Sequence, residues 1–282
     1  MNRALRKSYK YILISLIIIA TLSSLVLIAR FPAQSESNCK TAHISFDDIY
    51  EVLMDITENE NIYESVFDNE FLKILKNMNE DYGAKFALYI YDSNPKNGFD
   101  VRKVSSKYRE EFITNSNWLK FGYHSIEPTT SFDHLTSINE FKESFIRVNN
   151  EIKRFAGEES ITTVLRLNYF RASPDKIEYL FNQGVSGLLC SDDDRISYDL
   201  SKEQHEELKL EEKILYNGMT YYNTDFRFDG KKFILYEMMK LRDNEVLVLF
   251  AHEWDLENNG LDRIETAIKW LSNNNYKFSF LE

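Results

Sequence analysis

The sequence predicts an α/β fold, a (β/α) barrel of seven to eight mostly parallel strands preceded by one N-terminal transmembrane helix, on three observations. Short apolar runs read as buried strands at Ala42–Phe46, Lys85–Tyr91, Trp118–Tyr123, Thr162–Leu167, Val185–Cys190, Val246–Ala251 and Lys277–Leu281. Helix-like amphipathic stretches alternate with them, the pattern of a parallel sheet. No Pro- or Gly-rich linker divides residues 41–282, so the units are expected to close around one core.

The N-terminal element comes first. Nineteen residues from Tyr11 to Ala29 pass without a charge, and as a helix they would span roughly 28 Å, close to the thickness of bilayer hydrocarbon. Arg3, Arg6, Lys7 and Lys10 precede this run and only Arg30 follows closely, which places the N-terminus in the cytoplasm. The expected organisation is a cytoplasmic N-terminus over residues 1–10, a transmembrane anchor over 11–29, a polar tether over 30–40 and an extracytoplasmic barrel domain over 41–282. A cleaved signal peptide is the rival reading, but RFPAQS follows the run where a small-residue A-x-A-like site would be needed.

Within 41–282 the helices are expected at Glu64–Asn79, with Val66, Phe67, Phe71, Ile74, Leu75 and Met78 on one stripe, at Ile138–Phe155, at Pro174–Asn182 with Ser173 as cap, and at Leu261–Asn273. Residues 192–244 are less regular: SKEQHEELKLEEK reads as a solvated helix, and YNGMTYYNTDFRF as a further strand or a hairpin.

Composition narrows the function. The chain is 43% hydrophobic and 14% aromatic, ample for a core. From Thr41 onward 28 basic residues face 44 acidic ones, a balance that argues against nucleic-acid binding. Cys39 and Cys190 could form at most one disulfide and give no Cys-based zinc site.

In a parallel barrel the reactive face lies where strands finish. ISF runs into Asp47 and Asp48, WLKFGY into His124, VLRLNYF into Arg171, GLLC into Ser191 and Asp192–Asp194, and VLVLFA into His252, Glu253 and, after Trp254, Asp255. Carboxylates, imidazoles and a guanidinium would thus surround one mouth. The bland alternatives are a helix-capping pair for Asp47–Asp48, hydrogen-bonded core histidines, and a solvated turn for Asp192–Asp194.

The segments HISFDD, FGYHS, YFRAS and LVLFAHEW, in this order, resemble the motifs of the polysaccharide deacetylase family with the NodB-homology barrel. The resemblance implies Asp47 as general base, Asp48 and His124 as ligands of a divalent metal ion, most simply zinc, Arg171 as the residue orienting Asp47, and His252 as the acid that protonates the leaving amine. A metal-bound water of lowered pKa suits such a hydrolysis, and a histidine titrates in the right range to donate a proton. The family's second histidine would stand four residues after His124, where this chain has Pro128; His134 is the expected third ligand, with Glu127 as an oxygen alternative. Trp254 and Glu253 are expected at the substrate.

The implied activity is removal of N- or O-acetyl groups from a cell-surface polysaccharide. Two other readings stay open: a deacetylase-like carbohydrate-binding protein that has lost the metal, and a glycosidase using Asp48 and Glu253 as its two carboxylates.

Overall fold

Strand β1, Thr41–Ile49, is the axis of the molecule in this computed structural model, which describes residues 40–256 and 259–282. Its residues Ala42, Ile44 and Phe46 are fully buried, and so are Ser45 and Asp47 beside them, so it is covered on both faces as a central parallel strand must be. The predicted membrane segment 11–29 lies outside the described residues, as do the ten residues before it. Among the described residues no helix is long and apolar enough to cross a membrane.

The strands that follow are β2 (Phe86–Tyr91), the short hairpin β3 (Ser93–Asn94) and β4 (Phe99–Asp100), β5 (Leu119–Ser125), β6 (Val164–Leu165), β7 (Gly187–Leu189), β8 (Lys213–Tyr216), β9 (Met219–Tyr222), β10 (Phe226–Arg227), β11 (Val246–His252) and β12 (Lys277–Phe278). One parallel sheet runs β10-β11-β1-β2-β5, with β12 on the lower edge of β1. A second runs β6-β7-β9-β8, parallel except for the β8–β9 hairpin. A parallel bridge from Phe121 to Ile161 joins the arcs, so eight parallel strands succeed one another around a barrel, in line with the expected α/β class.

The helices are α1 (Glu51–Glu58), α2 (Glu70–Tyr82), α3 (Arg109–Thr114), α4 (Ile138–Phe155), α5 (Pro174–Asn182), α6 (Lys202–Glu211), α7 (Ile234–Lys240) and α8 (Gly260–Asn273). The predicted helix Glu64–Asn79 is broken at its start. Ser65 and Asp68 close a capping box around a single 3₁₀ turn, and Asn69 then accepts the amide of Leu72 to begin α2 afresh. Short polar side chains that bond the local backbone outcompete helix continuation there. Ser173 precedes α5 as expected, but its hydroxyl bonds Asp175 and receives Lys176 instead of capping. The Tyr-rich stretch supplies the β8–β9 hairpin, turning at Asn217–Gly218, and β10.

All strands of the larger sheet start at one end of the barrel and finish at the other. At the starting end, the Thr41 amide donates to Glu245 O at 2.8 Å, the Lys277 amide to Lys40 O at 2.8 Å, and the Lys40 ammonium to Arg242 O. The finishing end carries the chemistry.

Candidate active site

Two adjacent residues of a regular strand point to opposite faces, so Asp47 and Asp48 could not serve one site without a break in β1. The break is present. Between Phe46 and Ile49 the register against β2 slips, with one residue more on β1 than on its partner, and Asp48 takes a left-handed φ of 64°. Such a bulge re-aims a side chain, and aspartate is among the residues that tolerate this conformation.

Asp47 is the strand partner of His252 on β11, so the two sit side by side at the mouth. Asp47 is buried, and its Oδ2 lies 3.5 Å from Nε of Arg166, which is itself fully buried. Arg166 also reaches Thr224 Oγ1 at 3.3 Å and Ser45 Oγ at 3.4 Å, with its guanidinium 3.9 Å from the centre of the Phe250 ring. Asp47 Oδ1 has no hydrogen-bond partner among the described residues. Burial raises the Asp47 carboxyl above the ordinary aspartate range, and the charges of Arg166, His124 and His252 only partly offset it. A buried carboxylate with one unclaimed oxygen beside a fixed cation is the form of a general base.

His252 is held by Asp229, which follows β10. Asp229 Oδ2 bonds the ring Nδ1 and Oδ1 accepts the His252 amide at 3.0 Å. Burial would lower the imidazole pKa, but the hydrogen bond to Asp229 and the charges of Asp47, Asp229 and Asp48 outweigh it and raise it. With Nδ1 committed, Nε2 is the nitrogen left to handle a proton. The ring stacks on Trp254, centroids 5.1 Å apart, and Trp254 is about half exposed.

Asp48 Oδ1 lies 3.2 Å from Nε2 of His124 and accepts the Tyr91 hydroxyl, while Oδ2 accepts Trp254 Nε1–H at 3.1 Å. Burial works against the ionised form, but the hydrogen bond and charge of His124 prevail and bring the carboxyl down to about 2. His124 Nδ1 donates to Arg166 O at 2.6 Å, which turns the Nε2 edge onto Asp48. A cleft of about 420 Å³ opens beside this cluster, lined by Asp48, Tyr50, Tyr91, Asn94, Glu127 and Trp254 among others.

Three expected roles fail. Arg171 does not orient Asp47: its side chain is 58% exposed and lies 4.0 Å from Asp133, while Arg166, five residues earlier, has the assigned place. The chain turns sharply after Leu167, with Tyr169 and Phe170 at positive φ, and this carries Arg171 out of the barrel. His134 is 80% exposed and lies 3.9 Å from Asp199, so it does not join Asp48 and His124. Glu253 is buried and faces no substrate. Its carboxyl group accepts the amides of Tyr50, Glu51 and Val52 at 2.8, 2.8 and 2.9 Å, capping α1 from the turn after β11. The glycosidase pair of Asp48 and Glu253 goes with it.

A family-type metal centre does not fit the donors either. Asp48 and His124 are suitably spaced for two ligands of one ion, yet no group of three or more His, Cys, Asp or Glu side chains that could hold a metal exists among the described residues. Asp48 Oδ1 accepts the Tyr91 hydroxyl and Oδ2 the Trp254 indole N–H. In the Asp192–Asp194 run, Asp193 and Asp194 pair with Arg195 and Lys209, and Asp192 Oδ2 lies 3.4 Å from Arg227 Nε while its Oδ1 is buried with no hydrogen-bond partner among the described residues.

Arg166 and Asp229 escaped the sequence reading, though both left a signal. A charge inside the apolar run VLRLNYF needs a buried counter-ion, and Asp229 follows DFRF as Asp47 follows ISF.

No protein-family model matches the chain, and no curated protein does. Solved structures do. A putative polysaccharide deacetylase from Mycobacterium smegmatis superposes with a TM-score of 0.52 at 10% identity, covering 84% of this chain and 86% of that one. The catalytic domain of a peptidoglycan N-acetylglucosamine deacetylase from Eubacterium rectale gives 0.47 at 13% identity over 90% and 94%, and a family 4 carbohydrate esterase from Streptomyces lividans, in complex with acetate, gives 0.48 at 10% over 86% and 93%. The solved neighbours are consistently polysaccharide or peptidoglycan deacetylases and carbohydrate esterases, and the Mycobacterium smegmatis likeness establishes the shared fold of a divergent chain.

Proposed function

We propose that this chain is a membrane-anchored, extracytoplasmic hydrolase that removes acyl groups from the sugars of a surface polysaccharide. The observation that carries this reading is the pairing of Asp47 with His252 across neighbouring strands, each backed by a buried partner of opposite charge, Arg166 for one and Asp229 for the other. A binding site has no use for a base and an acid supported in this way. The fold it shares with a deacetylase-like protein supports the same class of reaction.

In the proposed reaction a water molecule adds its oxygen to the acyl carbonyl and gives a proton to Asp47 Oδ1. The tetrahedral intermediate then breaks its bond to the sugar nitrogen or oxygen, and His252 Nε2 delivers a proton to that leaving atom. Arg166 holds Asp47 ready to accept, Asp229 fixes the tautomer of His252, and Trp254 offers an exposed aromatic face to a sugar ring. No step is assigned to a metal ion, because the donors of a complete centre are not brought together among the described residues.

The incomplete donor set favours a second reading, a carbohydrate-binding relative without turnover. Acetate release from a panel of N- and O-acetylated glycans separates the two. Turnover by the parent and its loss in Asp47→Asn and His252→Ala, with glycan binding kept, is the expected result; a parent that binds and never releases acetate would leave only the binding reading.

A further inference from the structure

Helix α7 carries an apolar face that the barrel does not use. Ile234 and Met238, four residues apart, are buried against the fold, whereas Phe233, Leu235, Tyr236 and Met239 are 75, 52, 62 and 59% exposed. Four large apolar side chains on seven consecutive residues form a patch of the kind that marks an interaction surface. Lys231 and Lys232 flank it at its N-terminal end, although the domain as a whole is acidic, while Lys240 at the other end pairs with Glu237 at 2.9 Å. An apolar stripe edged by lysines suits the boundary between lipid headgroups and acyl chains.

The position of this helix in the chain points to the same occupant. Lys40, where the chain meets the barrel, donates to the carbonyl of Arg242, and Thr41 to that of Glu245, in the turn that directly follows α7. Only the ten residues 30–39 separate this point from the uncharged run ending at Ala29. Ten residues cannot span more than roughly 35 Å in any conformation. If the run is anchored, lipid therefore stays within easy reach of α7.

We propose that the outer face of α7 docks on the bilayer that holds the chain, with Leu235 and Met239 entering the interface and Lys231 and Lys232 meeting anionic headgroups. This rests on the anchor reading above and goes beyond it, because an anchor alone leaves the orientation of the barrel free. Docked on α7, the barrel would lie with one flank on the membrane.

The test uses the full chain in vesicles of phosphatidylcholine and phosphatidylglycerol, with Cys39→Ser and a polarity-sensitive fluorophore on Leu235→Cys or Met239→Cys; Cys190 is buried and leaves the label site-specific. A label on Leu210→Cys, a still more open position on α6, is the control. Nitroxide-bearing lipid should quench the α7 labels about twofold or more beyond the control, the result of an approach to roughly 5–10 Å depth. Vesicle-bound protein whose α7 labels are quenched no more than the control overturns the docking while the anchor stands. Protein that fails to float with the vesicles overturns both. Labels shielded from lipid and from aqueous iodide alike, in a chain that sediments as a dimer, would assign the face to a second copy and refute the lipid.

Discussion

Replacing Arg166 by methionine tests the electrostatic frame of the site. The substitution keeps an apolar stem of similar length against Phe250 and removes the cation that stands 3.5 Å from Asp47. At that distance, with an effective dielectric constant of ~20, the lost attraction is roughly 5 kcal/mol. Stranding one partner of a buried pair costs about 3–5 kcal/mol in stability. For a domain of this size that corresponds to a fall of roughly 10 °C in Tm. The sign of the pH dependence follows from Asp47, whose carboxyl is already raised by burial and rises further without the cation. A carboxyl with a folded-state pKa above its unfolded value binds more protons when folded. Its contribution to stability is therefore fully present below the unfolded pKa and lost as pH climbs through the folded one. Arg166→Met should thus lose more stability at mildly alkaline than at mildly acidic pH, and Asp47→Asn in the same chain should recover most of the loss. Thermal melts of the four members of this cycle, followed by circular dichroism at two pH values, give the measurement. If Arg166→Met melts with the parent, or if the double variant is no more stable than Arg166→Met alone, the two groups do not form the pair described.

Asp229→Asn should cut turnover on an acetylated glycan by about 10²–10⁴. The basic limb of its pH–rate profile should move to lower pH, because the hydrogen bond that raises the His252 pKa is weakened; an unshifted limb would speak against the dyad. Glu253→Ala should lower stability by about 1–3 kcal/mol, as the α1 amides lose their acceptor, with glycan affinity per folded molecule unchanged. In calorimetric titration with zinc chloride, the parent should bind far more weakly than the roughly 10–16 kcal/mol of a full structural site, and His134→Ala should change nothing; tight binding that His134→Ala weakens would restore the loop ligand.

The barrel was readable because buried parallel strands are uninterrupted apolar runs, and the site because ionisable groups follow them. Asp47, Asp48, His124 and His252 stand at such ends and come together. The failures have local causes. Arg171 followed the same rule on paper, but the chain reverses hand at Tyr169 and Phe170, which no hydrophobic pattern reports. Arg166 hid inside an apolar run, just past β6, because a cation surrounded by apolar residues reads as noise until its counter-ion is found on another strand. Glu253 looked like a reactive carboxylate because sequence cannot show that three amides from a different element already claim it. His134 needed a loop to fold inward, and the loop instead sends Phe132 into the aromatic cluster of Tyr123 and Phe141.

The in-register pairing of Asp47 with His252 decouples chemistry from recognition. Neighbouring backbones in a sheet keep a spacing of about 4.8 Å, so the spacing of the Asp47 and His252 backbones is inherited from the ladder and owes nothing to loop length. Beyond Asp48, Tyr50, Tyr91 and Trp254, the cleft wall comes from elsewhere: the β3–β4 hairpin contributes Asn94 to Asn97, and the segment after β5 contributes Glu127 to Thr129. These stretches can be lengthened, shortened or exchanged without altering the reach from one reactive atom to the other. On the proposed reading, glycan preference would be free to diverge by insertion and deletion at the rim, with the Asp47–His252 pairing left as it is.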